Sequence, residues 1–353
     1  MKTIRRLSIF AAMAYSSVAN AVNLEMVTIA NPGNAADVED NGVFGSVGYS
    51  YRIGKYEVTA GQYTEFLNAV ADADPHGLYH NSMLDPVNYG PNIQRTGSSP
   101  NYSYSVAGDW ANRPVNFVSF WDAARFVNWL HNGQPTGPQS PVTTEDGAYT
   151  NIGNDITFIR KPDARFFLPN EDEWYKAAYH KNDGVTGNYW NYPATTDNPP
   201  INTLPDPGNH ANFYDLFNSG NHTFTIGSPY YRTEVGEFYN SAGPYGTFDQ
   251  GGNVFEWTET PSPNFRELRE SRGGAFNAQV QYLSSRYSRF AHDATEDNFN
   301  IGFRVASVVP EPISLPMGLA GGFFVLTCIR TQLREMRRAG RATPSSGTHL
   351  DSA

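Results

Sequence analysis

Gly251-Gly252-Asn253-Val254-Phe255-Glu256-Trp257 packs two glycines, an amide, a carboxylate and two aromatic rings into seven residues. Paired glycines allow positive φ or close backbone approach, and the aromatic residues after them can fill a core. The same grammar returns downstream as Ser271-Arg272-Gly273-Gly274-Ala275-Phe276 and as Ile301-Gly302-Phe303-Arg304-Val305. Each word by itself reads as a turn beside a strand, so the information lies in their order.

Upstream, three segments open with the same helix-start signal. Thr59-x-x-Gln62 precedes Tyr63, Phe66, Leu67 and Val70; Ser119-x-x-Asp122 precedes Ala123, Phe126, Val127 and Leu130; Asn170-x-x-Glu173 precedes Trp174, Ala177 and Ala178. In each, a short polar side chain can take the free N–H groups of the first turn while the residue three later reaches back, and the apolar spacing buries one side. Tyr51 to Ile53, Val115 to Val118, Ile156 to Ile159 and Ile301 to Val305 read as short strands. Long connections over 71–112 and 182–233 separate these elements. Connections of that length in a compact domain are usually functional or held by ligands. With no repeat and no low-complexity linker, the pattern predicts one loop-rich α+β domain.

Taken together, Glu57-Val-Thr-Ala-Gly-Gln-Tyr63, Pro114-Val-Asn-Phe-Val-Ser-Phe-Trp121, Phe167-Leu-Pro-Asn-Glu-Asp-Glu-Trp174 and the three glycine words form an ordered series over about residues 26 to 307. The series resembles the formylglycine-generating enzyme family, also called sulfatase-modifying factor. Matching family words are Glu-Val-Thr-x-x-x-Tyr, Pro-Val-x-x-Val-Ser-Trp, Leu-Pro-Thr-Glu-x-Glu-Trp, Gly-Asn-Val-Trp-Glu-Trp, Arg-Gly-Gly-Ser and Gly-Phe-Arg. The resemblance implies a single α+β domain related to C-type lectins, with bound Ca²⁺. It also implies oxidation of a sulfatase cysteine to formylglycine, with O₂ and a copper ion held by two cysteines.

The chain departs from the family at those cysteines. In the family they follow the paired glycines as Gly-Gly-Ser-Tyr-x-Cys-x₄-Cys; here the corresponding positions hold Ala278 and Leu283, and the serine position holds Ala275. A methyl and an isobutyl group neither coordinate copper nor form a thiolate. The single cysteine of the chain is Cys328, far outside the family words. Disulfides, cysteine zinc sites and thiolate catalysis are thereby excluded from residues 22–308, and no copper is expected.

Other metal readings are weaker in the sequence. His76 and His80 are spaced i, i+4, but Pro75, Gly77 and Asn81 argue for a loop and no third ligand is nominated. For calcium, the resemblance implies one site from the carbonyls of Gly252 and Val254 with the carboxylate of Glu256, the alternative being an ion pair of Glu256 with Arg272. A second family site would use Asn212 and the carbonyl of Phe213, with Ser228-Pro229-Tyr230 where a carboxylate is expected. Arg272, Arg286, Tyr287, Arg289 and Arg304 cluster near the former catalytic loop. They suit either a pocket for an acidic or sugar-like ligand or ion pairs within an acidic body.

The two ends read as targeting segments. Residues 1–21 carry Lys2, Arg5 and Arg6, an apolar stretch and a small-residue exit at Ala19-Asn20-Ala21, the pattern of a signal peptide cut between Ala21 and Val22. At the other end, Pro310-Glu311-Pro312 precedes seventeen uncharged residues, 313–329, and five arginines ending at Arg341. That order resembles the PEP-CTERM sorting signal (residues 309–341), which implies one C-terminal transmembrane helix and processing by an exosortase. A short tail, 342–353, follows. The net charge is −10; the first 21 residues contribute +3 and those after Pro312 +3, leaving −16 on residues 22–312. Such a body repels nucleic acid and favours cations.

The resulting expectation is an exported protein, membrane-anchored by its C-terminal helix before release to the cell surface or extracellular matrix. Its partners would be the export machinery, an exosortase and a glycan or cell-surface ligand, and its role that of a non-catalytic binding or structural module. The alternative is a divergent oxidoreductase of the same family using another metal or substrate.

Overall fold

A computed structural model describes residues 21–216, 223–287 and 289–310. The chain divides after Val309, and the second unit, apart from Pro310, lies outside the described residues. Two four-stranded sheets organise the first unit. Their strands are β1 (Met26–Ile29), β2 (Tyr51–Gly54), β3 (Phe166–Phe167), β4 (Phe255–Pro261), β5 (Leu268–Arg272), β6 (Phe290–Asp293), β7 (Ile301–Phe303) and β8 (Ala306–Val308).

The first sheet has the order β1-β2-β8-β3, all antiparallel, with Met26 opposite Gly54 and Ala306 opposite both Ile53 and Phe167. It closes the domain by pairing early and late segments. The second has the order β6-β5-β4-β7 and holds all three glycine words. β4 and β5 run antiparallel with Glu256 opposite Arg272, while β7 runs parallel to β4 with Phe255 opposite Ile301.

The three long helices begin where their caps require. Helices α1 (Ala60–Val70), α2 (Phe120–His131) and α3 (Glu171–Tyr179) each carry a complete capping box, from Thr59 and Gln62, Ser119 and Asp122, and Asn170 and Glu173. Each pair satisfies two otherwise orphaned N–H groups, and loss of such a cap costs about 0.5–2 kcal/mol. The apolar faces of α1 and α2 meet through Phe66, whose ring lies 5.2 Å from both Phe126 and Trp129. Phe126 in turn packs edge-on to Phe303 of β7 at 5.3 Å. The helices therefore bear on the strand that delivers Arg304.

Two strand expectations differ from the fold. Residues 115–118 form no strand: Phe117 takes a left-handed φ of 56° and gives its N–H to Asn298 O, which breaks the extended run. Of residues 156–159 only Ile159 is paired, in a two-residue bridge of Ile159–Arg160 to Tyr149–Thr150. The 71–112 connection is built, not structureless, and contains the hairpin Ile93–Thr96 with Ser103–Val106.

The expected transmembrane helix requires correction, and with it the membrane as a partner and as the site of anchorage. Among the described residues no helix is long and apolar enough to cross a membrane. The longest has twelve residues, about 18 Å of helix against a hydrocarbon core of about 30 Å. The 313–329 stretch, Glu311 and Pro312 lie outside the described residues.

Candidate functional site

The loop that carries Ala278 and Leu283 leaves β5 at Arg272 and turns through Gly273 and Gly274, at φ 103° and 78°. Gly274 is needed for a close approach: a Cβ there would stand 2.7 Å from Leu283 Cδ1. Gly252 is needed likewise, at φ 96°, because its Cβ would collide with the Asn212 carbonyl. These glycines bring the β4 start, the 211–213 segment and the loop into one layer.

Leu283 is fully buried and forms an apolar cluster with Ala211 and Phe213, with Tyr192 and Val280 packed against it. The space left beside it is about 20 Å³, room for about one water molecule. Ala278 is 9% exposed, and its carbonyl accepts from Tyr214 N at 2.8 Å. His210 and Asp249 line the residual space. His210 Nδ1 is spent on Thr203 O at 2.8 Å, and Asp249 accepts from Gly236 N at 2.6 Å. Among the described residues no three His, Cys, Asp or Glu side chains stand together as a metal-binding group. Neither of the two thiolates that the family uses for copper is available at these positions, where Ala278 and Leu283 present hydrocarbon.

Phe276 forms the floor of an aromatic layer on the adjacent side. Its ring lies 5.6 Å from Tyr89, 5.8 Å from Tyr231 and 6.2 Å from Phe299. Near it Arg232 is fully buried, giving Nη1 to Tyr89 O at 2.7 Å and Nη2 to Gly90 O at 3.2 Å. Burial, then repulsion from Arg113, pushes its guanidinium down to about 9. No sequence word marks this residue, because two backbone carbonyls from a distant loop are its partners.

The calcium reading of Glu256 is corrected by its partners. Arg304 donates Nε to both carboxylate oxygens and Nη2 to Oε1 at 2.7 Å, and Trp174 Nε1 donates to Oε2 at 2.7 Å. A carboxylate held on both oxygens inside the core is neutralised by its arginine and does not face an ion with the Gly252 and Val254 carbonyls. The partner is Arg304, not Arg272, although Arg272 is opposite in register. At the second expected site, Asn212 turns Nδ2 to Asn253 Oδ1 and Tyr231 O. Phe213 O accepts from Asn202 Nδ2 at 3.1 Å. Asn212 Oδ1 is buried without a hydrogen bond.

The arginine cluster resolves into separate contacts. Arg272 donates Nε and Nη2 to Glu171 Oε1 and stacks over Phe44 and Tyr175 at 4.5 and 4.9 Å. Arg289 bridges the same Glu171 to Glu270. Arg286 lies half exposed against Glu39 and Asp40, with Tyr287 exposed beside it. His76 faces Glu145 at 3.5 Å, while His80 stacks on Phe117.

A wider opening lies elsewhere, as a groove of about 650 Å³ between residues 21–25, α1, residues 104–106 and Val235. Among the described residues its wall contains Glu25, Glu57 and Glu65 and no lysine, arginine or histidine, while Lys55 reaches Glu25 at 3.3 Å. Burial, then Asp249, raises the Glu57 carboxyl well above the usual range.

The family described as Sulfatase-modifying factor enzyme 1-like domain matches residues 31–309. This chain belongs to that family. The fold of this chain is similar to that of the solved structure of CarF, at 20% identity and a TM-score of 0.50, covering 82% of this chain and 100% of that one. Variable protein 1 of Treponema denticola is 19% identical with a TM-score of 0.47, covering 83% of this chain and 98% of its own. PvdO from Pseudomonas aeruginosa is 18% identical with a TM-score of 0.45, covering 81% and 92%. No match is found among curated proteins. The chain is thus a sulfatase-modifying-factor-fold protein without the family's paired cysteines, and among the described residues it has no group of three or more His, Cys, Asp or Glu side chains that could hold a metal.

Proposed function

We propose that this protein is a non-catalytic binding module built on the sulfatase-modifying-factor scaffold. The observation that carries the reading is Leu283, which takes the place of the second cysteine, is fully buried, and leaves about 20 Å³ beside it. The groove of about 650 Å³ beside α1 is the ligand seat in this reading, a volume suited to a small molecule or a short chain segment. The ionisable side chains of its described lining are all acidic, namely Glu25, paired with Lys55 at 3.3 Å, the buried Glu57 and the exposed Glu65, which favours a cationic or neutral ligand over an anionic one.

Processing at both ends belongs to the same proposal. A mature start at Val22 is supported by the way Gln134 brackets that residue, accepting from Val22 N at 2.6 Å and donating to Val22 O at 2.9 Å. Cutting at Pro310-Glu311-Pro312 is supported by the sequence words only. Intact mass of the native protein tests both cuts.

The functional test is paired. Elemental analysis and O₂ uptake on a cysteine peptide are expected to give no redox metal and no turnover; turnover would restore the oxidoreductase alternative. Titration with basic peptides, neutral oligosaccharides and anionic peptides is expected to give binding that favours the first two. Absence of binding to every member would overturn the binding role.

A further inference from the structure

Val106 carries an unused pair of backbone groups in the wall of the large groove. It ends the hairpin of Ile93–Thr96 with Ser103–Val106, in which Gln94 faces Ser105 and Ile93 faces Val106. In an antiparallel pair every second residue turns its N–H and C=O away from the partner strand. Tyr104 is one of these: Asn68 of α1 brackets it, accepting from Tyr104 N at 2.9 Å and donating to Tyr104 O at 2.8 Å. On the other strand Ile93 turns its carbonyl outward, to the Tyr79 hydroxyl at 2.9 Å. Val106, two residues after Tyr104 and opposite Ile93, therefore aims its N–H and C=O to the side on which Asn68 stands.

Carboxamide brackets of this kind close two further residues. Gln134 holds Val22 N and O at 2.6 and 2.9 Å, and Asn128 holds Tyr149 N and O at 2.7 and 3.1 Å. At Val106 no side chain plays that part, and among the described residues neither backbone group has a hydrogen bond. Helix α1 meets this segment on either side of Val106, through Asn68 at Tyr104 and through Gly61, where a Cβ would stand 3.0 Å from Ala111 O. Between the two contacts Thr64, Glu65 and Val106 line the groove.

Glu65 stands one turn before Asn68, and residues so spaced are neighbours on a helix surface. It is exposed in the same wall and has no hydrogen bond or ion pair among the described residues, whereas Glu25 is engaged by Lys55 and Glu57 is buried. The facing wall is already spent: the carbonyls of Val22, Asn23 and Glu25 accept from Gln134 Nε2, Gln62 Nε2 and Lys55 N at 2.9, 3.2 and 2.7 Å. A second copy of this chain would bring the same acidic charge, −16 on residues 22–312, which disfavours it as the occupant. We propose, resting on the groove as the ligand seat, that its occupant is a basic peptide: one residue exchanges both main-chain hydrogen bonds with Val106, and a neighbouring lysine or arginine side chain pairs with Glu65. Main-chain pairing supplies the affinity, and the carboxylate selects the side chain.

Titration of the whole protein with an acetylated, amidated Val-Thr-Lys-Thr-Val peptide, and with copies methylated at one backbone nitrogen each, tests the pairing. Methylation at one position is expected to weaken binding about tenfold, the worth of one good hydrogen bond, while the positions on either side tolerate it. Peptide binding with no sensitive position would overturn the pairing and leave the ligand seat standing, as would binding of a neutral oligosaccharide without the peptide. Binding of neither would overturn both. On saturation with peptide, hydrogen exchange at the Val106 amide is expected to slow about tenfold while the Ser105 amide, within the hairpin ladder, stays unchanged; an unaltered Val106 amide would overturn the pairing. Val106→Pro removes the outward N–H without breaking a ladder bond, and is expected to fold and to bind the peptide about tenfold more weakly. Glutamine in place of the peptide's lysine should weaken binding to the parent but not to Glu65→Gln, and equal weakening in both would overturn the Glu65 contact.

Discussion

Arg304 Nη2 stands 2.7 Å from Glu256 Oε1, with both side chains withdrawn from solvent. The pair ties the Gly-Phe-Arg word after β7 to the glycine word that opens β4. Arg304 also donates to the carbonyls of Gly54 and Phe248 at 2.8 Å each, so one guanidinium joins the two sheets. The geometry explains why these words recur together, since each supplies half of a buried contact.

Glu256→Gln is accordingly expected to destabilise the fold by about 3–5 kcal/mol, the usual cost of stranding a buried charge. Because arginine is the partner, the loss should be the same with and without a chelator. Denaturant unfolding in both conditions checks this; a penalty that appears only without chelator would return a metal to Glu256.

Leu283→Ala is expected to cost about 2–5 kcal/mol, because it removes the Cγ, Cδ1 and Cδ2 carbons from a site closed by Ala211 and Phe213 and leaves a cavity. Thermal or urea unfolding measures the loss. A change below about 1 kcal/mol would mean that the loop collapses freely and that Leu283 does not fill a built site.

The helix starts were legible because capping is local: Thr59, Ser119 and Asn170 each find their partner three residues away. The glycine words were legible as a family series, and the lost cysteines followed by counting from Gly274. The Glu256 partner was not, since Arg272 and Arg304 both follow it in the sequence and the choice depends on which guanidinium the strand order turns inward. Phe117 was misread as strand because its left-handed φ is imposed by Asn298, nearly two hundred residues away. Arg232 left no signal because its partners are backbone carbonyls of Tyr89 and Gly90.

Lys176 gives a pH dependence of defined sign. It is fully buried on α3, donates to Asn31 O at 2.8 Å and makes no ion pair among the described residues, and burial pushes its amine down to about 8. The unfolded chain keeps that proton to about 10.4, so between about pH 8 and pH 10 the unfolded state binds more protons than the native state and stability rises with pH. Buried Tyr51, Tyr63 and Tyr149, all raised by burial, oppose the trend above that window. Urea unfolding across the window is expected to show the rise, and Lys176→Met to reduce it, the remainder coming from Arg232, whose buried guanidinium is pushed down to about 9; an identical slope in the variant would refute the assignment.

Glu65 lies exposed on α1 in the wall of the large groove, and Gly61 and Asn68 line the same wall. A bulky residue at 65 would occupy the groove without entering the core, whose contacts from this helix are made by Tyr63, Phe66, Leu67 and Val70. Glu65→Trp is therefore expected to leave stability within about 0.5 kcal/mol of the parent and to remove binding of any cationic or neutral probe that the parent takes up. Glu65→Gln separates charge from shape, because it keeps the volume and removes one of three carboxylates; it should weaken basic peptides and spare neutral ones. Binding that survives Glu65→Trp undiminished would move the ligand seat off the groove, and the Phe276 layer would be the next surface to block.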